Sequence, residues 1–140
     1  MGQPRIEKAG NILYVEDKKT NIDLIEEILL LHRPSVHLVS CRYGAQAPQY
    51  AIKNDVDLIL LDLNLPDING TSVLKNLKSD KRTSGIPVVI LSAEAMPDRI
   101  KETVKAGAVQ YLTQPLNLNS FLNAVDIFLV KKHENDRNGD

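Results

Sequence analysis

Leu58-Ile59-Leu60-Leu61-Asp62-Leu63-Asn64-Leu65-Pro66-Asp67-Ile68-Asn69-Gly70 is the stretch on which the fold turns. Four apolar residues run without polar alternation into an acid. Such a run marks a strand buried on both faces, as in a parallel sheet covered by helices. Asp62 stands at its C-terminal end, and Pro66, Asn69 and Gly70 mark the loop that follows. Open α/β sheets receive ligands at the carboxyl ends of their strands. Asp62 is therefore a candidate site residue from its placement alone. The alternative is that it only opens the turn.

Four similar runs lie on either side. Ile12 to Val15 ends on Glu16-Asp17, and Val36 to Cys41 is rich in β-branched and apolar residues. Pro87 to Leu91 ends on Ser92-Ala93-Glu94, and Val109 to Thr113 ends on Gln114-Pro115. Helical spacing fills the gaps. The first helix spans Thr20 to His32 on Ile22, Ile25, Ile28, Leu29 and His32, and Pro34 stops it. The second spans Tyr43 to Asn54, and Pro48 makes it start late or bend. The third spans Gly70 to Leu77 on Val73, Leu74 and Leu77. The fourth spans Pro97 to Ala106 with a thin stripe of Ile100 and Val104, which predicts the most mobile helix, and Gly107 ends it. The last spans Asn117 to Val130 and is expected to bury Leu118, Phe121, Leu122, Val125 and Phe128. Five strand-then-helix units imply an α/β fold, a doubly wound parallel sheet with helices on both faces and right-handed crossovers. One domain over 11–130 is expected, between a polar lead-in (1–10) and a polar tail (131–140).

Composition narrows the function. The 140 residues are 43% hydrophobic and 25% charged, with net charge −1, so no general attraction to nucleic acid or anionic membrane is implied. Lone Cys41 cannot form an internal disulfide and is expected as a small core residue in a reducing, cytoplasmic setting. No apolar run reaches membrane-spanning length. His32, His37 and His133 form no metal spacing. The first two are expected in packing or turns, and His133 lacks the surroundings of a phosphodonor histidine.

Four strand ends carry polar groups: Glu16-Asp17, Asp62, Ser92 and Gln114. In a doubly wound sheet these ends share one edge, so three acids converge there. Crowded carboxylates repel, and a hard divalent cation offsets that repulsion. A carboxylate beside such an ion can act as a nucleophile toward a phosphoryl group. Each residue also has a plainer role: Asp17 as a helix cap, Ser92 as a turn hydroxyl, Gln114 as surface polarity. All four arising independently at strand ends is the less consistent account.

Leu13-Tyr14-Val15-Glu16-Asp17, Leu60 to Gly70, Leu91-Ser92-Ala93 and Tyr111-Leu112-Thr113-Gln114-Pro115 together resemble the response-regulator receiver domains of two-component phosphorelays. The resemblance covers about Asn11 to Val130. It implies a flavodoxin-like sheet in the order 2-1-3-4-5. It implies that Asp62 accepts a phosphoryl group from a sensor histidine kinase or a histidine phosphotransfer domain. Asp17, Asp62 and the backbone carbonyl of Asn64 would bind Mg2+ directly, and Glu16 through water. Ser92 would be the switch hydroxyl and Tyr111 its aromatic partner, while small Ala93 leaves the phosphoryl group room. Output would pass to a protein partner through the fourth helix, fifth strand and fifth helix, from a monomer or weak dimer. No output domain follows the last helix, so the chain is expected to act through contacts, as a relay, or as part of a hybrid kinase.

Two other functions are distinguishable. A receiver-like scaffold would bind partners without phosphorylation. An aspartate-nucleophile phosphatase would place a second aspartate two residues after the first as acid/base, where this chain has Asn64. Nucleotide binding is disfavoured, since no glycine-rich phosphate loop follows the first strand.

Gln114 departs from the pattern, because receivers carry lysine there. Two unit charges about 4 Å apart interact by roughly 4 kcal/mol at an effective dielectric near 20. Glutamine donates a hydrogen bond without that charge. Asp62 is expected to remain reactive, with weaker coupling to Ser92 and Tyr111. Gln114→Lys should therefore strengthen the conformational response to a small phosphodonor, followed by NMR shifts of Tyr111. An unchanged rate and an unchanged response would refute this role for Gln114.

Overall fold

The computed structural model describes residues 9–129. Strand β1 spans Gly10–Val15, β2 Val36–Cys41, β3 Leu58–Leu61, β4 Val88–Ser92 and β5 Gln110–Thr113. The helices are α1 Lys19–His32, α2 Ala47–Lys53, α3 Gly70–Ser79, α4 Pro97–Lys105 and α5 Leu118–Phe128, with a short 3-10 turn at Gly44–Gln46. All strand pairs are parallel, in the order β2-β1-β3-β4-β5. This is the doubly wound arrangement expected from the sequence.

The pleat sorts side chains into two cores. Leu13, Val15, Ile59, Leu61, Val88 and Ile90 face α2 and α3, with Ala47, Ala51, Val73, Leu74 and Leu77 against them. Ile12, Tyr14, Leu58, Leu60, Val89 and Leu91 face α1 and α5, meeting Ile25, Leu29, Phe121 and Val125. β3 and β4 are fully buried on both faces. Burying one Leu or Ile side chain contributes about 1.5–3 kcal/mol, so the unbroken Leu58–Leu61 run is both a folding anchor and a fixed mount for Asp62.

Several boundaries and contacts differ from expectation. Pro48 sits in the first turn of α2, and the segment before it forms the 3-10 turn, so that helix starts late. Asp17 does not cap α1; Lys18 occupies the N-cap position without a side-chain bond. Asn69 and Asn117 do cap, accepting the N–H groups of Thr71 (2.8 Å) and Ser120 (2.9 Å). In α4 the fully buried residue is Thr103, and Val104 is exposed. The Thr103 hydroxyl donates to the Arg99 carbonyl (2.7 Å), which lets a polar residue take the inner position. Leu118 of α5 is exposed, while Leu122 and Phe128 are only partly buried. His32 and His37 are exposed, so neither serves the core. Cys41 is buried as expected, and burial pushes its thiol up to about 12. The lead-in and tail, with His133, lie outside the described residues apart from positions 9 and 10.

Two glycines shape the loop after β3. A Cβ on Gly70 would lie 2.5 Å from the Leu63 Cα and 2.9 Å from the Asp62 carbonyl oxygen. A Cβ on Gly44 would lie 2.4 Å from the Val73 Cγ2. Both permit close approach of backbone to its neighbours. Asp67 ties the same loop to the 3-10 turn, its two oxygens accepting from the Gly44 N–H (2.9 Å) and the Ala45 N–H (3.0 Å). Those bonds hold the Asp67 carboxyl below the usual range.

Gly70→Ala should destabilise the protein by about 1–3 kcal/mol, because the obstacle is backbone and cannot rotate away. A urea midpoint within error of the wild type would show that the loop yields.

Candidate functional site

Strand register creates the site. Val15 pairs with Leu61, and the Asp62 N–H donates to the Val15 carbonyl (3.1 Å). The Glu16 N–H donates to the Cys41 carbonyl (3.0 Å) on the other side. Glu16 and Asp17 therefore leave β1 beside the point where Asp62 leaves β3. One ligand atom from each of Glu16, Asp17 and Asp62 lies within 4.8 Å of the others, as the sequence predicts.

The three acids are held differently. Glu16 is fully buried. Its Oε1 accepts the backbone N–H groups of Asp17 (2.9 Å) and Lys18 (3.2 Å), and its Oε2 accepts the Tyr14 hydroxyl (3.3 Å) and the Asn21 amide (3.0 Å). Asp62 is 8% exposed, and its Oδ1 accepts the Asn64 N–H (3.1 Å). Asp17 Oδ1 is buried with no hydrogen-bond partner.

Burial raises the Asp62 carboxyl from 3.8 to about 7; the Asn64 N–H opposes the rise, and neighbouring Glu16 and Asp17 add to it. Tyr14 is also pushed up, by burial first and then by Glu16 and Asp62. An unpartnered buried carboxylate oxygen in an all-oxygen donor set fits a hard divalent cation. Glu16, Asp17 and Asp62 are the group able to hold one.

The remaining residues ring this cluster. Ser92 is buried as the last residue of β4 rather than beyond it, and its Oγ accepts the Glu94 N–H (3.2 Å). The Gln114 N–H donates to the Ser92 carbonyl (2.9 Å), so β5 is fastened to β4 at the site's edge. A cavity of about 230 Å³ between α1 and the segment after β5 is lined by Tyr14, Asn21, Leu91 and Gln114, and the first two of these reach Glu16. Tyr111 is half-buried against the α2/α3 core, and its hydroxyl donates to the Glu94 carbonyl (2.7 Å). Asp57 lies at the opposite end of β3, where it accepts the Asn11 N–H (2.9 Å), and is not part of the cluster.

Some contributors escaped the sequence. Tyr14 reads as a strand residue, and Asn21 carries no signal of its own within the first helix. Arg99 of α4 donates to Asn69 Oδ1 (3.0 Å), and its Nε lies 3.6 Å from Glu94 Oε2, which links the α3 cap to the loop after β4.

The described part of the chain has a known counterpart. Residues 12–126 match the family model of the response regulator receiver domain. The chain belongs to that family. The polar-differentiation response regulator DivK of Brucella ovis is 29% identical over 119 residues, 85% of this chain and 95% of that protein. The receiver domain of a sensor histidine kinase from Pseudomonas aeruginosa, solved with magnesium coordinated in its active-site cleft, is 25% identical. It covers 86% of this chain and 98% of its own, with a TM-score of 0.76. The phosphorylated cyanobacterial phytochrome response regulator RcpA is 35% identical, with 84% and 89% coverage and a TM-score of 0.69. Receiver domains are signalling modules, and they bind magnesium at an acidic cluster. None of the described helices is long and apolar enough to cross a membrane.

The raised Asp62 value has a consequence for stability. A carboxyl raised in the folded state favours its protonated form there. Stability from this group is present below the unfolded value near 4 and is lost as pH rises through about 7. In EDTA, Asp62→Asn should therefore be more stable than the wild type at pH 8.5, on the order of 2–4 kcal/mol, with the gap closing by pH 4. Thermal melts across that range check it; a gap independent of pH contradicts the raised Asp62 carboxyl.

Proposed function

We propose that the chain is a phosphoacceptor: Asp62 takes a phosphoryl group from a phosphohistidine with Mg2+ bound beside it. The single observation that carries this is the convergence of Glu16, Asp17 and Asp62 at one sheet edge with an unpartnered Asp17 oxygen. Asp17, Asp62 and the Asn64 backbone carbonyl are the direct ligands in this scheme, with Glu16 in support. The cation neutralises charge on the phosphoryl oxygens when bound. An Asp62 oxygen attacks phosphorus, the N–P bond of the donor breaks as the O–P bond forms, and the imidazole nitrogen leaves and regains a proton. The raised Asp62 value describes the carboxyl without a cation; a bound cation stabilises the ionised, nucleophilic form.

Ser92 and Tyr111 form the switch in this scheme. The Ser92 Oγ, now accepting from Glu94, would turn to donate to a phosphoryl oxygen. The Tyr111 hydroxyl sits on the same Glu94, so motion of that loop reaches it directly. Gln114 flanks the site without a positive charge and weakens the coupling. The chain catalyses at most its own phosphorylation and dephosphorylation. Its partners are a sensor histidine kinase or phosphotransfer domain and a downstream protein on α4, β5 and α5, where Val104 and Leu118 leave apolar surface exposed. The setting is cytoplasmic, the unit one domain over 11–130, the state a monomer or weak dimer.

A constitutive scaffold is the second function, favoured by one observation, the missing charge at Gln114. Acetyl phosphate with Mg2+ separates the two. Mass spectrometry should show addition of one phosphoryl group, absent without Mg2+ and absent in Asp62→Asn. No adduct on the wild type at any Mg2+ concentration supports the scaffold.

A further inference from the structure

Glu16 carries a hydrogen-bond load unlike that of its two acidic neighbours. A carboxylate offers about four lone-pair sites, and all are engaged here by four donors. Asp17 has a buried oxygen with no partner, and Asp62 accepts the Asn64 N–H and lies within hydrogen-bond reach of the Glu16 carboxyl. The cluster is thus divided: two acids keep oxygen capacity for a ligand and one is saturated. The two donors to Glu16 Oε1 are backbone. The two donors to Oε2 are side chains from different elements, Tyr14 buried in β1 and Asn21 on the first turns of α1. Both also line the cavity beside Gln114, so they stand on the same flank of the acids.

We infer that Tyr14 and Asn21 are positioning residues that keep Glu16 out of direct cation ligation and so set the preference of the site for Mg2+ over Ca2+. This rests on the cation assignment made under the proposed function. Mg2+ keeps several waters in near-ideal octahedral geometry and needs only one or two carboxylates. Ca2+ takes six to eight oxygens in flexible geometry and gains from each added carboxylate. With Oε2 occupied, Glu16 contributes field without an oxygen. With Oε2 released, a third carboxylate becomes available, and the added oxygen benefits the larger ion more.

The test is calorimetric titration of the whole chain with MgCl2 and with CaCl2. Wild type, Tyr14→Phe, Asn21→Ala and the double variant are compared, each also in a Glu16→Gln background. The ratio Kd(Ca)/Kd(Mg) should fall roughly tenfold in the double variant and less in each single, the usual scale for residues that orient metal ligands. In the Glu16→Gln background it should not move, because no carboxylate remains to be released. An unchanged ratio in the folded double variant, or an equal fall without Glu16, overturns the proposal. Should the double variant fail to fold, Tyr14→Phe alone decides, since the ring stays in the core: a fall of about threefold supports the proposal and no fall overturns it. A wild type that binds neither ion defeats the cation assignment and this proposal together. A wild type that binds both, with ratios blind to the substitutions, defeats this one only.

Discussion

Burial of three carboxylates side by side, imposed by parallel strand register, is the constraint on which this molecule depends. Backbone bonds from Asp62 to Val15 and from Glu16 to Cys41 fix the carboxylates where they are. The hydrophobic strands beneath cannot move apart to relieve them, because both cores close on β1, β3 and β4. The fold therefore stabilises the arrangement from outside the cluster. Glu16 is satisfied by four donors, and the cost is concentrated on Asp62, whose ionised form the burial disfavours. Concentrated cost of this kind is common where a side chain must be reactive.

The support of the site is uneven. On the β3 side, Gly70 packs backbone on backbone, and Asp67 spans two amides of the 3-10 turn. On the β4 side the links are single polar contacts: Ser92 with Glu94, Tyr111 with Glu94, Arg99 with Asn69. Single hydrogen bonds of this kind are worth about 1 kcal/mol each and are readily exchanged. Packed backbone is not. The site thus has one firm wall and one built from replaceable bonds.

Much of this was legible in the sequence for physical reasons. The unbroken apolar run gave β3 to the residue, because a strand buried on both faces leaves no polar alternation to confuse it, and β2 followed from its β-branched and apolar content although its middle is only partly buried. Asp62, Glu16 and Asp17 followed from the topology, since strand ends of a doubly wound sheet share an edge. The helices were read less well where polar residues take inner positions. Thr103 is buried because its hydroxyl has a carbonyl to bond, and Val104 was wrongly assigned inward on apolarity alone. His32 followed the helical period of α1 and is nonetheless exposed, as the stripe ends before the last turn. The grip of Tyr14 and Asn21 on Glu16 was illegible, because it depends on side-chain reach across β1 and α1 that spacing does not encode.

Asp67 has a kinetic side. Its two bonds to the Gly44 and Ala45 amides hold the segment after β3 in its receiving shape before anything arrives. A preformed loop leaves little to be ordered on encounter, so the entropy lost at that step is small. For a cation drawn to the three acids, the pace of engagement would then be set by diffusion and by the attraction of a negative rim, and it would slow as added electrolyte shortens the range of that attraction.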